Sequence, residues 1–141
     1  RLRERFERDA AGGAGVWLTD VDGVCLVRHE GEEAWSDPGG KREGGETFAE
    51  AARRETREEA GVSADIDGVL EVHAVTHVAP ARPPLVSPIV LFEGTPAGGR
   101  AAPAPDDRVA EARWFTERPE PLLYDALADF PMPPGGAGPD S

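Results

Sequence analysis

Residues 39–62 constrain this chain more than any other stretch: a loop bracketed by glycines, Gly39 to Gly45, runs directly into a segment with strong helix grammar. Thr47 followed three residues later by Glu50 forms a capping box, in which each side chain satisfies an otherwise unpaired amide of the first helical turn. Alanine, glutamate and arginine fill positions 48–60, and Gly61 supplies a left-handed stop. The pattern predicts a helix over 48–60. On its wheel Ala49, Ala52, Thr56 and Ala60 form a small, mostly apolar stripe, and Glu55, Glu58 and Glu59 form an adjoining stripe of carboxylates.

Like charges at these spacings repel by roughly 0.2–0.5 kcal/mol per pair, so the clustering needs a reason. A solvated acidic face is the ordinary explanation of a charge run. A hard divalent cation is the sharper one: Mg²⁺ is held by one or two carboxylates, waters and substrate phosphates, which suits three glutamates on one helical face.

The wider spacing decides between them. Gly40, five residues, Glu46, seven residues, then Arg54-Glu55-Thr56-Arg57-Glu58-Glu59-Ala60-Gly61-Val62 resembles the Nudix box. Every fixed residue of that signature is matched. The one departure is Thr56, where the family carries a bulky aliphatic, and it touches local packing rather than chemistry. The resemblance implies an α/β fold, a Nudix-like α/β/α sandwich with a mixed β-sheet between helices. It also implies Mg²⁺- or Mn²⁺-dependent hydrolysis of a nucleoside diphosphate linked to another moiety. Carried over residue by residue, Glu58 and Glu59 become the principal metal ligands, Glu55 a further ligand or the general base, and the Gly40 carbonyl a completing ligand. Arg54 becomes the group that fixes a carboxylate, with Glu46 as its partner, and Gly39 lets the loop close over the metal. Some family members place the base outside the box. Glu111 is the first choice here, with Glu93, Asp106 and Asp107 as alternatives and a plain surface carboxylate as the bland reading of each.

Composition sets outer bounds. A chain of 141 residues fits one domain with a modest core. Its net charge of −12 argues against a nucleic-acid polymer or an anionic membrane as partner, since both require a basic patch. The same charge makes a bound cation more necessary if phosphates are the substrate. Lys41 is the only lysine among the 15 basic residues. An acidic, lysine-poor surface resembles proteins of salt-adapted organisms, and equally an acidic protein from a GC-rich genome. The single Cys25 excludes an internal disulfide, and its apolar neighbours make it a core residue. With no apolar run approaching the ~20 residues of a membrane span and no signal peptide, the cytoplasm is the expected compartment. The chain does not start with Met, which leaves room for an upstream segment. The expected partner is a small nucleotide of the nucleoside diphosphate type, and a second copy of the chain in a homodimer is the one protein partner considered.

The remaining chain supports an α/β reading. Residues 1–12 suggest a short amphipathic helix or the remnant of an upstream segment, 13–130 the domain, and 131–141 a disordered tail with nothing to bury. Val16–Thr19 and Val24–Val27 read as strands joined by Asp20-Val21-Asp22-Gly23. Ala64 to Val78 reads as one long strand or two, Val86 to Glu93 and Val109 to Phe115 as further strands, and Thr95 to Asp107 as a mobile loop. Pro121 opens a last helix bearing Leu123, Leu127 and Phe130. His73 and His77 fall on a strand, where they read as polar-face residues lining a substrate cleft rather than as a chelating pair, and Arg82 joins them as a cleft residue. Specificity is thinly marked. Pro80 tilts the reading toward ADP-ribose or another nucleotide sugar, with modified nucleoside triphosphates next. The alternative is a Nudix-fold sensor that binds a nucleotide without cleaving it, but all four box glutamates are present, which favours an enzyme.

Overall fold

The computed structural model describes residues 11–98 and 108–133. Six strands and one α-helix are present among these residues: β1 Gly13–Thr19, β2 Val24–His29, β3 Gly39–Lys41, α1 Phe48–Ala60, β4 Ala64–His77, β5 Leu85–Pro96 and β6 Val109–Phe115, followed by a 3₁₀ helix over Asp125–Asp129. The expected N-terminal helix, most of the 95–107 loop and residues 134–141 lie outside the described residues.

The mixed sheet runs β4-β5-β1-β2-β6, with β3 also paired to β1. β1 and β5 are parallel, whereas β2, β3 and the β4–β5 pair are antiparallel to their neighbours. In the β1–β2 turn the Asp20 carboxylate accepts from the amides of Asp22 and Gly23, so the turn carries its own local lock. β1 is buried almost throughout because both its faces are covered. Its even-numbered side chains Ala14, Val16 and Leu18 pack with Ala51, Ala52 and Val62 under α1. Trp17 points the other way, into a second cluster with Trp35, Leu91, Leu127 and Phe130.

The capping box at Thr47 and Glu50 is formed, and Gly61 ends α1 at φ 71°. The buried face comprises Ala51, Ala52, Thr56 and Ala60. The expected Ala49 is only partly buried, and Ala51 is buried in its place. Thr56 is fully buried, and its hydroxyl donates to the Ala52 carbonyl at 2.8 Å, which satisfies the one polar group the stripe contains.

The second face of the sheet departs from the sequence reading. Among the described residues no α-helix follows Pro121. Residues 121–123 lie alongside Trp35, with Leu123 N–H donating to the Trp35 carbonyl at 2.8 Å, and only one 3₁₀ segment follows. A five-residue element cannot bury a full amphipathic stripe, so Leu127 and Phe130 reach the core through tight turns instead. Residues 131–133 are not free tail: Trp17 Nε1 donates to the Pro131 carbonyl at 2.6 Å and Met132 packs on the second cluster. The layer opposite α1 is therefore a strap of irregular chain.

Candidate active site

The site grows from the junction of β3 with α1. β3 pairs with the glycine-rich start of β1, placing Gly40 opposite Ala14 and Gly39 opposite Gly15. This close pairing brings Gly40 against the helix: a Cβ added to Gly40 would lie 2.5–2.9 Å from the Glu55 carboxylate. A side chain at position 40 would therefore push the Glu55 carboxylate from its present place against the loop.

Arg54 organises the glutamates. Its Nε donates to Glu46 Oε2 at 2.7 Å and its Nη2 to Glu46 Oε1 at 3.1 Å. Its Nη1 reaches Glu58 Oε1 at 3.1 Å and Glu55 Oε2 at 3.3 Å, and Nη2 also donates to the Lys41 carbonyl. The hydrogen bond from Arg54 holds the Glu46 carboxyl below the usual carboxylate range and in turn raises the arginine. Glu55 behaves in the opposite way. Burial, then the adjacent Glu59 charge, pushes its carboxyl up, and Arg54 only partly offsets this. Glu59 accepts from the Gly39 amide at 3.0 Å and lies 3.1 Å from His29 Nε2.

Among the described residues no three of His, Cys, Asp and Glu converge as a ready-made metal cage. The cause is visible in these pairings: Glu55 and Glu58 turn toward Arg54, and Glu59 toward His29 and Gly39. The donor chemistry still fits a hard divalent ion. Three carboxylates and Gly40 share one loop–helix junction, and the burial and mutual repulsion that raise Glu55 are what a cation would relieve.

A cleft of about 490 Å³ opens beside this cluster on the sheet face opposite α1. Its floor follows the sheet register: Gly13, Ile89 and His73 lie in one row, with Gly15 and Leu91 in the next. Leu123, Tyr124 and Leu127 of the C-terminal strap form a wall, and His29, Asp37, Gly39 and Gly40 border the glutamates. Asp37 is 8% exposed, and desolvation pushes its carboxyl up to about 7, with the Glu59 charge adding to the effect. Tyr124 is raised by burial and then by Asp37, Glu59 and Glu32.

The structure brings Gly39, Gly40, Glu46, Arg54, Glu55, Glu58 and Glu59 together, and places His73 in the cleft floor, 3.2 Å from Glu71. His77 lies beyond the cleft, its Nε2 3.1 Å from Ser87 Oγ. Arg82 sits in the exposed β4–β5 turn, outside the cleft lining. Glu111 pairs with Arg28 and Arg113 at 3.4 Å each, on the face that carries Trp35 and Phe115. Strand alternation separates it from α1, because on the neighbouring β2 it is His29, not Arg28, that reaches Glu59. Glu93 is an exposed β5 residue, and Asp106 and Asp107 lie outside the described residues. Sequence reasoning missed His29, Asp37 and Tyr124. His29 reads as the edge of a polar turn, and Tyr124 as part of a helix that does not form. Asp37 did carry a signal: a charged residue directly ahead of Pro-Gly-Gly.

A mixed sheet carrying a glycine loop and a glutamate-rich helix defines a Nudix domain. The family model for the NUDIX domain matches residues 10–129, and the chain belongs to that family. It is 32% identical over 114 residues to the human 8-oxo-dGDP phosphatase NUDT18, covering 76% of this chain and 33% of that protein. It is 30% identical over 112 residues to a putative 8-oxo-dGTP diphosphatase of Bacillus subtilis, covering 79% of this chain and 70% of that one. The chain thus spans only about a third of the human relative. Two solved structures share the fold, each at TM-score 0.62: a UDP-X diphosphatase at 21% identity, covering 81% of this chain and 55% of that one, and a Streptococcus suis ADP-ribose pyrophosphatase at 18%, covering 81% and 80%.

Proposed function

We propose that this chain is a divalent-cation-dependent hydrolase that cleaves the pyrophosphate bond of a nucleoside diphosphate linked to another moiety. The observation that carries the reading is the gathering of Glu55, Glu58, Glu59 and Gly40 at the border of an apolar cleft. These residues would hold Mg²⁺ or Mn²⁺, which when bound neutralises phosphate oxygens and lowers the pKa of water. Arg54 orients Glu55 and Glu58, and its fork to Glu46 fixes the loop against the helix. Glu59 is aimed by the Gly39 amide and His29. Glu55, packed against Gly40 and hydrogen-bonded by Arg54, would serve either as a further ligand or as the base that takes a proton from an attacking water. The apolar floor and strap form the slot for the nucleoside, leaving the phosphates at the Gly39–Gly40 end. Two relatives named for oxidised guanine nucleotides favour modified nucleoside di- and triphosphates over the ADP-ribose or nucleotide sugar suggested by Pro80.

The test is a panel of 8-oxo-dGTP, 8-oxo-dGDP, ADP-ribose and nucleotide sugars with Mg²⁺ or Mn²⁺, at low and molar salt, measuring released phosphate and nucleoside monophosphate. Cleavage of a pyrophosphate bond that stops in chelator supports the reading. Binding without turnover across the panel would instead make the domain a nucleotide sensor.

A further inference from the structure

A buried carboxyl in an apolar slot has a desolvation cost, and that cost is ordinarily offset by a structural partner. Asp37 has none of that kind. Among the described residues no side chain pairs with its carboxyl, and the hydrogen bond it receives comes from its own backbone. It is nonetheless held in a defined place. It lies over the backbone of Gly15, where any Cβ would collide with Oδ2, so glycine at this point of β1 is what admits the carboxyl. Around it the cleft offers Ile89, Leu91 and Val75 from the sheet and Leu123 and Leu127 from the strap. Flat glycine backbone and aliphatic side chains accept the face of a planar ring. Among the described residues Asp37 is the only carboxylate that lines this slot.

The chemistry of that carboxylate selects the ring. An ionised carboxyl is acceptor-only, with two oxygens side by side, and its best partner presents two parallel N–H donors. Guanine does so with N1–H and its 2-amino group. Adenine sets a donor beside an acceptor, as cytosine does. Hypoxanthine and uracil offer one N–H, and uracil flanks it with carbonyl oxygens that would face the carboxylate. Accepting on the reading above that the slot takes the nucleoside, we infer that Asp37 is the specificity residue of this domain and reads the N1–H/2-amino edge of a guanine base. An oxidised C8 leaves that edge intact, so guanine and its C8-oxidised form would both be admitted and the discrimination made here is against other bases.

The experiment measures binding, not turnover. GMP, IMP, AMP and UMP are titrated by calorimetry into wild-type protein and Asp37→Asn, in chelator at pH 8, where the carboxyl is ionised. Wild type should bind GMP roughly five- to a hundredfold more tightly than IMP, and AMP and UMP no better than IMP, the range expected when a bidentate contact is lost. The carboxamide of the variant presents one acceptor and one donor, which suits adenine. Asp37→Asn should therefore lose the preference for GMP over IMP and shift toward AMP. In hydrolysis assays its defect with a guanine substrate should fall on KM, with kcat within a few-fold. Equal binding of GMP and IMP by wild type, no binding of any of the four, or an unchanged GMP-to-AMP ratio in a folded Asp37→Asn would overturn the assignment. Should the variant not fold, the wild-type series decides alone. A protein that selects GMP but hydrolyses no anhydride would retire the hydrolase reading and leave Asp37 in place. One that hydrolyses with equal GMP and IMP affinities would do the reverse.

Discussion

Arg54 grips Glu46 with two parallel hydrogen bonds, Nε to Oε2 at 2.7 Å and Nη2 to Oε1 at 3.1 Å, across eight residues of chain. The grip joins the glycine loop to α1, and the remaining guanidinium nitrogen aims Glu55 and Glu58. Arg54→Lys keeps the charge but loses the fork. It should lower stability by about 1–2 kcal/mol and reduce turnover far more than substrate affinity. Because Arg54 depresses the Glu46 carboxyl, that contribution is complete above the unfolded value near 4.5 and is lost as pH falls through the folded one. Melts of both proteins between pH 3 and 7 should therefore converge at the acid end. Equal melting temperatures at pH 7 would show that the fork does not secure the loop.

Glu58 and Glu59 should separate under mutation. Glu58 is half exposed and meets Arg54, whereas Glu59 is 14% exposed and held by two partners. In chelator, Glu58→Gln should move the melting temperature by only a degree or two, because the repulsion it relieves is offset by the ion pair it removes. Wild type should gain more than the mutant from added Mg²⁺, since ligand stabilisation follows RT ln(1 + [L]/Kd). Equal responses would remove Glu58 from the metal set. Glu59→Gln should cut turnover by orders of magnitude with native far-UV dichroism, and activity within tenfold of wild type would exclude it as a ligand.

Thr56 tests the packing of α1. Its hydroxyl bonds a carbonyl already within the helix, so Thr56→Val, which keeps the shape, should change stability by less than about 1 kcal/mol. Thr56→Asp buries an unpaired charge against Ala52 and should cost on the order of 3–5 kcal/mol. Chemical denaturation reads both, and a tolerated aspartate would mean that this face is open to water.

Asp37 leaves a mark on the pH dependence of stability. Its carboxyl is raised from 3.8 to about 7 in the fold, with the Glu59 charge acting on it and with Tyr124 and His29 lining the same cleft. Between those values the native state holds a proton that the unfolded chain has released. The contribution is present below pH ~4, declines as pH rises to about 7 and is constant above, by at most about 4 kcal/mol in all. Asp37→Asn lacks this titration, so the variant should gain on wild type steadily from pH 4 to 7 in metal-free melts. A difference that stays flat with pH would place Asp37 in water.

Local grammar and local chemistry were legible without any structure. The capping box, the run of helix formers and Gly61 determined α1 to the residue, because each acts within one helical turn. The fixed spacing from Gly40 to Val62 determined the family and the acidic stripe. Apolar runs, with period-two alternation over residues 70–78, located the long strands, though β1 extends further than its apolar run because Gly13 and Gly15 pair closely with β3. Only the tertiary structure decided the rest. It replaced a final helix with an irregular strap, because Leu123 finds its backbone partner in Trp35, far earlier in the chain. It turned Glu111 away and His29 toward Glu59, because strand register, not residue type, sets which face a side chain takes. And it buried Asp37 over Gly15, since a carboxyl's surroundings are made by segments distant in sequence, and those surroundings decide what the group can do.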